Sequence, residues 1–96
     1  MASVLKPSWV LLTKTAGDDN AFRLAEDSVL LIPCDIFVTS NDAYMGDAKN
    51  QGAEIFAGDI YSAAVTTPVD VSQLWFKNRV AGSNTVVTIT GVSIPG

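Results

Sequence analysis

Ten carboxylates, one cysteine and no histidine frame the chemistry open to this 96-residue chain. Glu26, Asp27, Asp35, Asp42, Asp47, Glu54 and Asp59 have the residue type for glycoside hydrolysis, which needs two carboxylates held about 5–10 Å apart. Nothing in their spacing selects a pair, and most lie among turn formers, so they read as solvated turn residues. The missing histidine removes the usual base of a Ser or Cys nucleophile and the commonest transition-metal ligand. The chain is therefore expected not to be an enzyme, and no catalytic residue is assigned.

Other candidate motifs reduce to turns in the same way. Asp18-Asp19-Asn20 offers hard oxygen ligands, but the alternating spacing and distal bidentate Glu of a calcium loop are absent. Met45-Gly46-Asp47 and Ala57-Gly58-Asp59 lack the long glycine-rich loop, helix N-terminus and Lys of a phosphate cradle. Their glycines are expected to supply positive φ at strand ends. Cys34, alone and among apolar neighbours, reads as a buried inert thiol. No metal and no cofactor are expected.

The aromatic residues are more informative. Adjacent Trp75 and Phe76 on a strand point to opposite faces, so with Phe76 inside, Trp75 faces solvent, a partner or a covering loop of its own subunit. The same split sets Phe37 against Ile36 and Val38. Trp75, Phe37, Trp9, Tyr44 and Tyr61 are the candidate interface residues, because buried aromatics dominate the energetics of contact surfaces.

The elements that must position these residues are strands. Asp35 to Asp47 alternates β-branched and aromatic residues, breaks at Ser40-Asn41-Asp42, and reads as a β-hairpin. Trp9–Thr13, Ser28–Ile32, Glu54–Ala57, Ile60–Ala63, Val65–Thr67 and Thr85–Thr90 also read as strands, and Phe22–Leu24 as a short one. Pro33 marks a bulge, bend or edge. Asp70 offers either a helix cap or a tight turn before a strand at Leu74–Lys77, and the turn agrees better with the β surroundings. Some eight to ten short strands with turns every 8–12 residues fit an antiparallel β-sandwich or jelly roll. The expected core is Val10, Leu12, Leu30, Ile32, Ile36, Val38, Ile55, Leu74, Phe76, Val87 and Ile89. An N-terminal arm is expected over 1–7 and a single sandwich domain over 8–96.

Composition narrows the partners. Hydrophobic residues make up 48% of the chain and charged ones 17%, against about 25% charged in an average globular protein. A domain this short buries only roughly 60–65% of its unfolded surface, so the apolar surplus is expected to enter subunit contacts. A net charge of −4 with six Lys plus Arg disfavours nucleic acid. The longest apolar runs, Trp9–Leu12 and Val29–Ile32, fall far short of the ~20 residues that span a bilayer. The N-terminus lacks a basic region followed by an apolar one and so does not read as a secretory signal, which places synthesis in a cytoplasm.

The succession Ile36-Phe37-Val38, Ala43-Tyr44-Met45-Gly46-Asp47, Gly52-Ala53-Glu54-Ile55-Phe56-Ala57-Gly58-Asp59, Val71-Ser72-Gln73-Leu74-Trp75-Phe76 and Thr85-Val86-Val87-Thr88-Ile89 resembles small β-sandwich virion proteins of tailed bacteriophages, most of all capsid decoration (cement) proteins. It covers about two-thirds of the chain and consists of strands and turns. The resemblance implies a non-enzymatic structural protein, made in the host cytoplasm and seated as a homotrimer on the outside of a capsid, with the major capsid protein as partner. The alternative it leaves open is a head-fibre, tail or baseplate module that binds a host glycan or receptor.

Overall fold

A computed structural model describes residues 8–63 and 67–93 as two antiparallel β-sheets packed face to face. In chain order the strands are β1 (Ser8–Thr15), β2 (Leu30–Thr39), β3 (Ala43–Gly46), β4 (Ala53–Ile55), β5 (Ile60–Ala63), β6 (Val69–Asp70), β7 (Trp75–Asn78) and β8 (Val86–Ser93), with a 3-10 turn at Val71–Gln73. The larger sheet runs β1-β8-β2-β5, with β6 alongside the start of β2; the smaller runs β4-β3-β7. The expected all-β sandwich is what forms. The arm expected over 1–7 lies outside the described residues, as does most of the strand expected at Val65–Thr67.

The 35–47 segment is not a hairpin. β2 and β3 are consecutive, yet β2 pairs with β8 and β5 while β3 pairs with β4 and β7. Ser40 takes a left-handed conformation, φ 70°, and the Asn41 N–H folds back onto the Thr39 carbonyl at 2.8 Å. The chain thereby leaves one sheet and enters the other. Alternation of side chains records strands but not which strands pair.

A bulge explains the second departure. Between Leu31 and Cys34 the β2–β8 register shifts: Leu31 lies opposite Ser93 and Cys34 opposite Gly91, three steps on one strand against two on the other. The extra residue, at Ile32-Pro33, inverts the side-chain alternation. Leu31 is thus fully buried where Leu30 and Ile32 were expected, and Cys34, Ile36 and Val38 follow it inward. Gly91 is what this geometry demands, since a Cβ there would overlap the Pro33 carbonyl oxygen and lie 3.3 Å from Cys34 Cα.

The core sits between the sheets. Leu31, Cys34, Ile36, Val38, Val87 and Ile89 come from the larger sheet, Ala43, Met45, Ile55 and Phe76 from the smaller, and Val71 from the 3-10 turn. Val10, Leu12 and Leu74 pack against it half-buried. Asp70 resolves as the head of a tight turn. Its carboxylate accepts from Ser28 Oγ at 2.8 Å, Ser72 N at 3.0 Å, Ser72 Oγ at 2.8 Å and Val29 N at 3.3 Å.

Candidate functional site

Two outward faces remain, and their chemistry differs. On the larger sheet the register brings Trp9, Leu11, Thr13 and Thr15 of β1 beside Val92, Thr90, Thr88 and Val86 of β8. Asp35, Phe37 and Thr39 of β2 continue the same face, and β5 adds Ile60 and Ser62. The single ionisable side chain among these is Asp35, and Ser62 Oγ donates to it at 2.8 Å. Thr13 and Thr88 hydroxyls meet at 3.3 Å. Trp9 is 74% exposed, Leu11 69% and Ile60 70%, so this face, with a single carboxylate, carries large apolar groups open to solvent.

The smaller sheet faces water with charges. Lys77 Nζ stands 5.6 Å from the centre of the Tyr44 ring, and the Arg23 guanidinium 5.1 Å from that of Trp75. Arg79 lies 5.4 Å from the Phe56 ring and pairs with Asp42 and Glu54, each at 3.8 Å. Such contacts contribute little individually at a surface, about 0.5–1 kcal/mol for an exposed cation over a ring. They do mean that Tyr44 and Trp75 already have a polar neighbour across their rings.

The five candidate interface residues are therefore split. Trp9 and Phe37 share the charge-poor face, Phe37 half-buried beside Thr88 and Ile60. Tyr44 and Trp75 lie together on the charged face, while Tyr61 is half exposed on the outermost strand of the larger sheet. Phe76 is fully buried opposite Trp75, as alternation requires. Leu11 and Ile60 were missed. Alternation along β1 places Leu11 on the face of Trp9, whereas Ile60 joins it only through the pairings of β1 with β8, β8 with β2 and β2 with β5.

The carboxylate motifs resolve as turn and loop structure. Asp18 accepts from Asn20 N at 2.9 Å and Asn20 Nδ2 at 3.2 Å. Asp19 accepts from Asn78 Nδ2 and Gly82 N, both at 2.9 Å. Asp47 accepts from Lys49 N and Asn50 N at 2.8 Å, and Asp42 from Ala57 N at 2.8 Å. Among the described residues no three His, Cys, Asp or Glu side chains gather as a metal site would need. Gly58 has the expected positive φ, 92°. Gly46 does not; a Cβ there would overlap the Asn50 carbonyl oxygen, so closeness of backbone selects glycine at that position. Cys34 is buried, and loss of solvation pushes its thiol pKa up, which disfavours the reactive thiolate.

Two of these acids make stability depend on pH. Hydrogen bonds from Asn78 and Gly82 hold Asp19 below the ordinary carboxylate value, and those from Ser28 and Ser72 do the same for Asp70. A carboxylate whose folded pKa is depressed adds stability above its unfolded pKa, lost as pH falls through the folded one. The thermal midpoint is therefore expected to drop as pH falls below about 4. Asp70→Asn, which keeps the acceptor but not the charge, should flatten that dependence; an unchanged acid limb would contradict the assignment.

Comparison with known proteins returned no match: no family model fits the chain, and no curated protein sequence or solved structure is similar to it.

Proposed function

We propose that the protein is a non-enzymatic structural virion protein that self-associates and seats on the outside of a phage capsid, which it stabilises. The observation that carries this reading is the charge-poor outer face of the larger sheet, where Trp9, Leu11 and Ile60 are each more than two-thirds exposed. Trp9 and Leu11 are same-face neighbours on β1, with Ile60 across the sheet beyond Thr88 and Phe37, and large apolar groups exposed on one charge-poor face favour a protein-binding surface. A protein with net charge −4 meets another surface at least electrostatic cost through a face almost free of charge.

Function then follows from mass action. Binding the assembled lattice but not its free subunits lowers the free energy of the assembled state by RT ln(1 + [L]/Kd) per site. Linked copies add avidity, because one foot cannot leave while its neighbours hold. The alternative, a module that stacks host sugars on aromatic rings, has less support. Trp75 and Tyr44, its natural platforms, already carry Arg23 and Lys77 against their rings.

The test uses heads of the phage that encodes the chain. The protein should co-purify with assembled heads, and heads lacking it should open at lower temperature until purified protein is added back. Absence from purified particles, or heads indifferent to its addition, would remove the reading. Binding to a glycan array lost on Trp75→Ala would favour the alternative.

A further inference from the structure

The outer strand of the larger sheet carries an argument of its own. β1 pairs with β8 on one side, and among the described residues nothing pairs with its other side. The Ala16 N–H donates to the Thr85 carbonyl at 2.9 Å, continuing the register in which Thr15 faces Val86. Hydrogen-bonded and non-hydrogen-bonded pairs alternate along an antiparallel ladder. Residues 10, 12 and 14 therefore exchange bonds with β8, and residues 9, 11, 13 and 15 turn their N–H and C=O groups to the open edge. Trp9 and Leu11 thus present an unpaired backbone and an exposed apolar side chain at once.

Natural edges are guarded by proline, a bulge, brevity or charge. β1, Ser-Trp-Val-Leu-Leu-Thr-Lys-Thr, is eight residues long and has only Lys14 near its end. Proline and the bulge fall on β2, inside the sheet. We propose that β1 is an interface between two copies of this chain, paired antiparallel edge to edge about a two-fold axis so that the larger sheets run on into one another.

A second copy fits this edge for reasons of geometry and charge. An antiparallel edge is its own complement, and a two-fold axis normal to the sheet sets outward-pointing residues opposite outward-pointing residues on the same face. With Leu11 on the axis, it lies against its own counterpart, Trp9 against Thr13, and Lys14 against Ser8, so no like charges are opposed. Strand lengths then match. The opposite edge, β5, has only four residues and would leave half of β1 unpaired. One eight-residue strand from each copy is well short of the roughly 20–30 residues a side of a standard interface, so the dimer is expected to be reversible.

This pairing does not depend on the capsid role, and the measurement that tests it involves no capsid. Sedimentation equilibrium of the full chain over a range of micromolar concentrations should show a monomer–dimer equilibrium. Leu11→Lys should weaken it by about tenfold or more by placing charge on the edge. Leu11→Pro should do the same, since the N–H it removes points away from β8. Circular dichroism checks that each variant keeps its fold. Hydrogen exchange of the unsubstituted protein gives an independent reading: amides 9, 11 and 13 should gain protection as concentration rises, while 10, 12 and 14 are protected throughout. A monomer at every concentration, an oligomer such as a trimer unaffected by both variants, or protection at the odd-numbered amides that does not change with concentration would overturn the proposal.

Discussion

Phe76→Ala is expected to cost about 3–5 kcal/mol, a large share of the ~5–15 kcal/mol that holds an ordinary domain folded. Phe76 is the largest of the fully buried side chains. Its backbone joins two parts of the molecule, pairing with Met45 in β3 and exchanging two 2.8 Å hydrogen bonds with Phe22. The two rings lie 6.2 Å apart and tilted by 39°, so removing one also strips contacts from the other. The loss combines transfer of the ring to water with the cavity left between the sheets. Urea unfolding should show a lower midpoint at unchanged slope, and Phe76→Leu should recover much of the difference. A loss below about 1 kcal/mol would mean that the sheets close over the gap.

Asn78→Leu should be nearly as damaging, although it makes the interior less polar. The Asn78 side chain is almost completely buried. Its amide nitrogen donates to Asp19 Oδ1 and Asn84 Oδ1 at 2.9 Å and lies 3.2 Å from the Asp18 carbonyl, while its oxygen accepts from Thr85 N at 2.9 Å. Thr85 in turn donates to the Asn41 carbonyl at 2.7 Å, and Asn41 Nδ2 donates to the Asn84 carbonyl at 2.9 Å. Three loops at one end of the sandwich are tied through this side chain. Leucine strands the N–H of Thr85, a fully buried residue, at about 1–3 kcal/mol, and frees the loops that Asn78 held. Asn78→Asp distinguishes this account from simple packing. It keeps the acceptor for Thr85 but sets a second carboxylate against Asp19, so its destabilisation should ease as pH falls and the new acid protonates. An Asp variant as stable as the original at neutral pH would show that the donated bonds are not needed.

The strands show how far pattern reaches. Ile36 and Val38 inward with Phe37 outward, Phe76 inward with Trp75 outward, and Val87 and Ile89 in the core all follow from a period of two. At Leu30–Ile32 the same rule assigns the wrong faces, because the bulge at Ile32-Pro33 inserts one residue and reverses everything before it. Proline marked the place without revealing the direction of the shift. Trp9 was legible as a contact candidate from residue type alone. Its grouping with Phe37 and Ile60 needed the pairings of β1 with β8, β8 with β2 and β2 with β5. Asn78 carried no signal at all, for its role comes from loops up to sixty residues away in the chain.

By itself the amino-acid order determined what is local: an all-β chain, turns at its Asp, Asn and Gly clusters, a cysteine unsuited to reaction, and more apolar residues than charged ones. Tertiary structure decided which strand stands beside which, and with that which residues share a surface. Side-chain alternation is set by backbone geometry within one strand, whereas pairing is a competition among whole sheets for burial and hydrogen bonds. The charge-poor face and the open edge of β1 are consequences of that competition, and no window of sequence contains them.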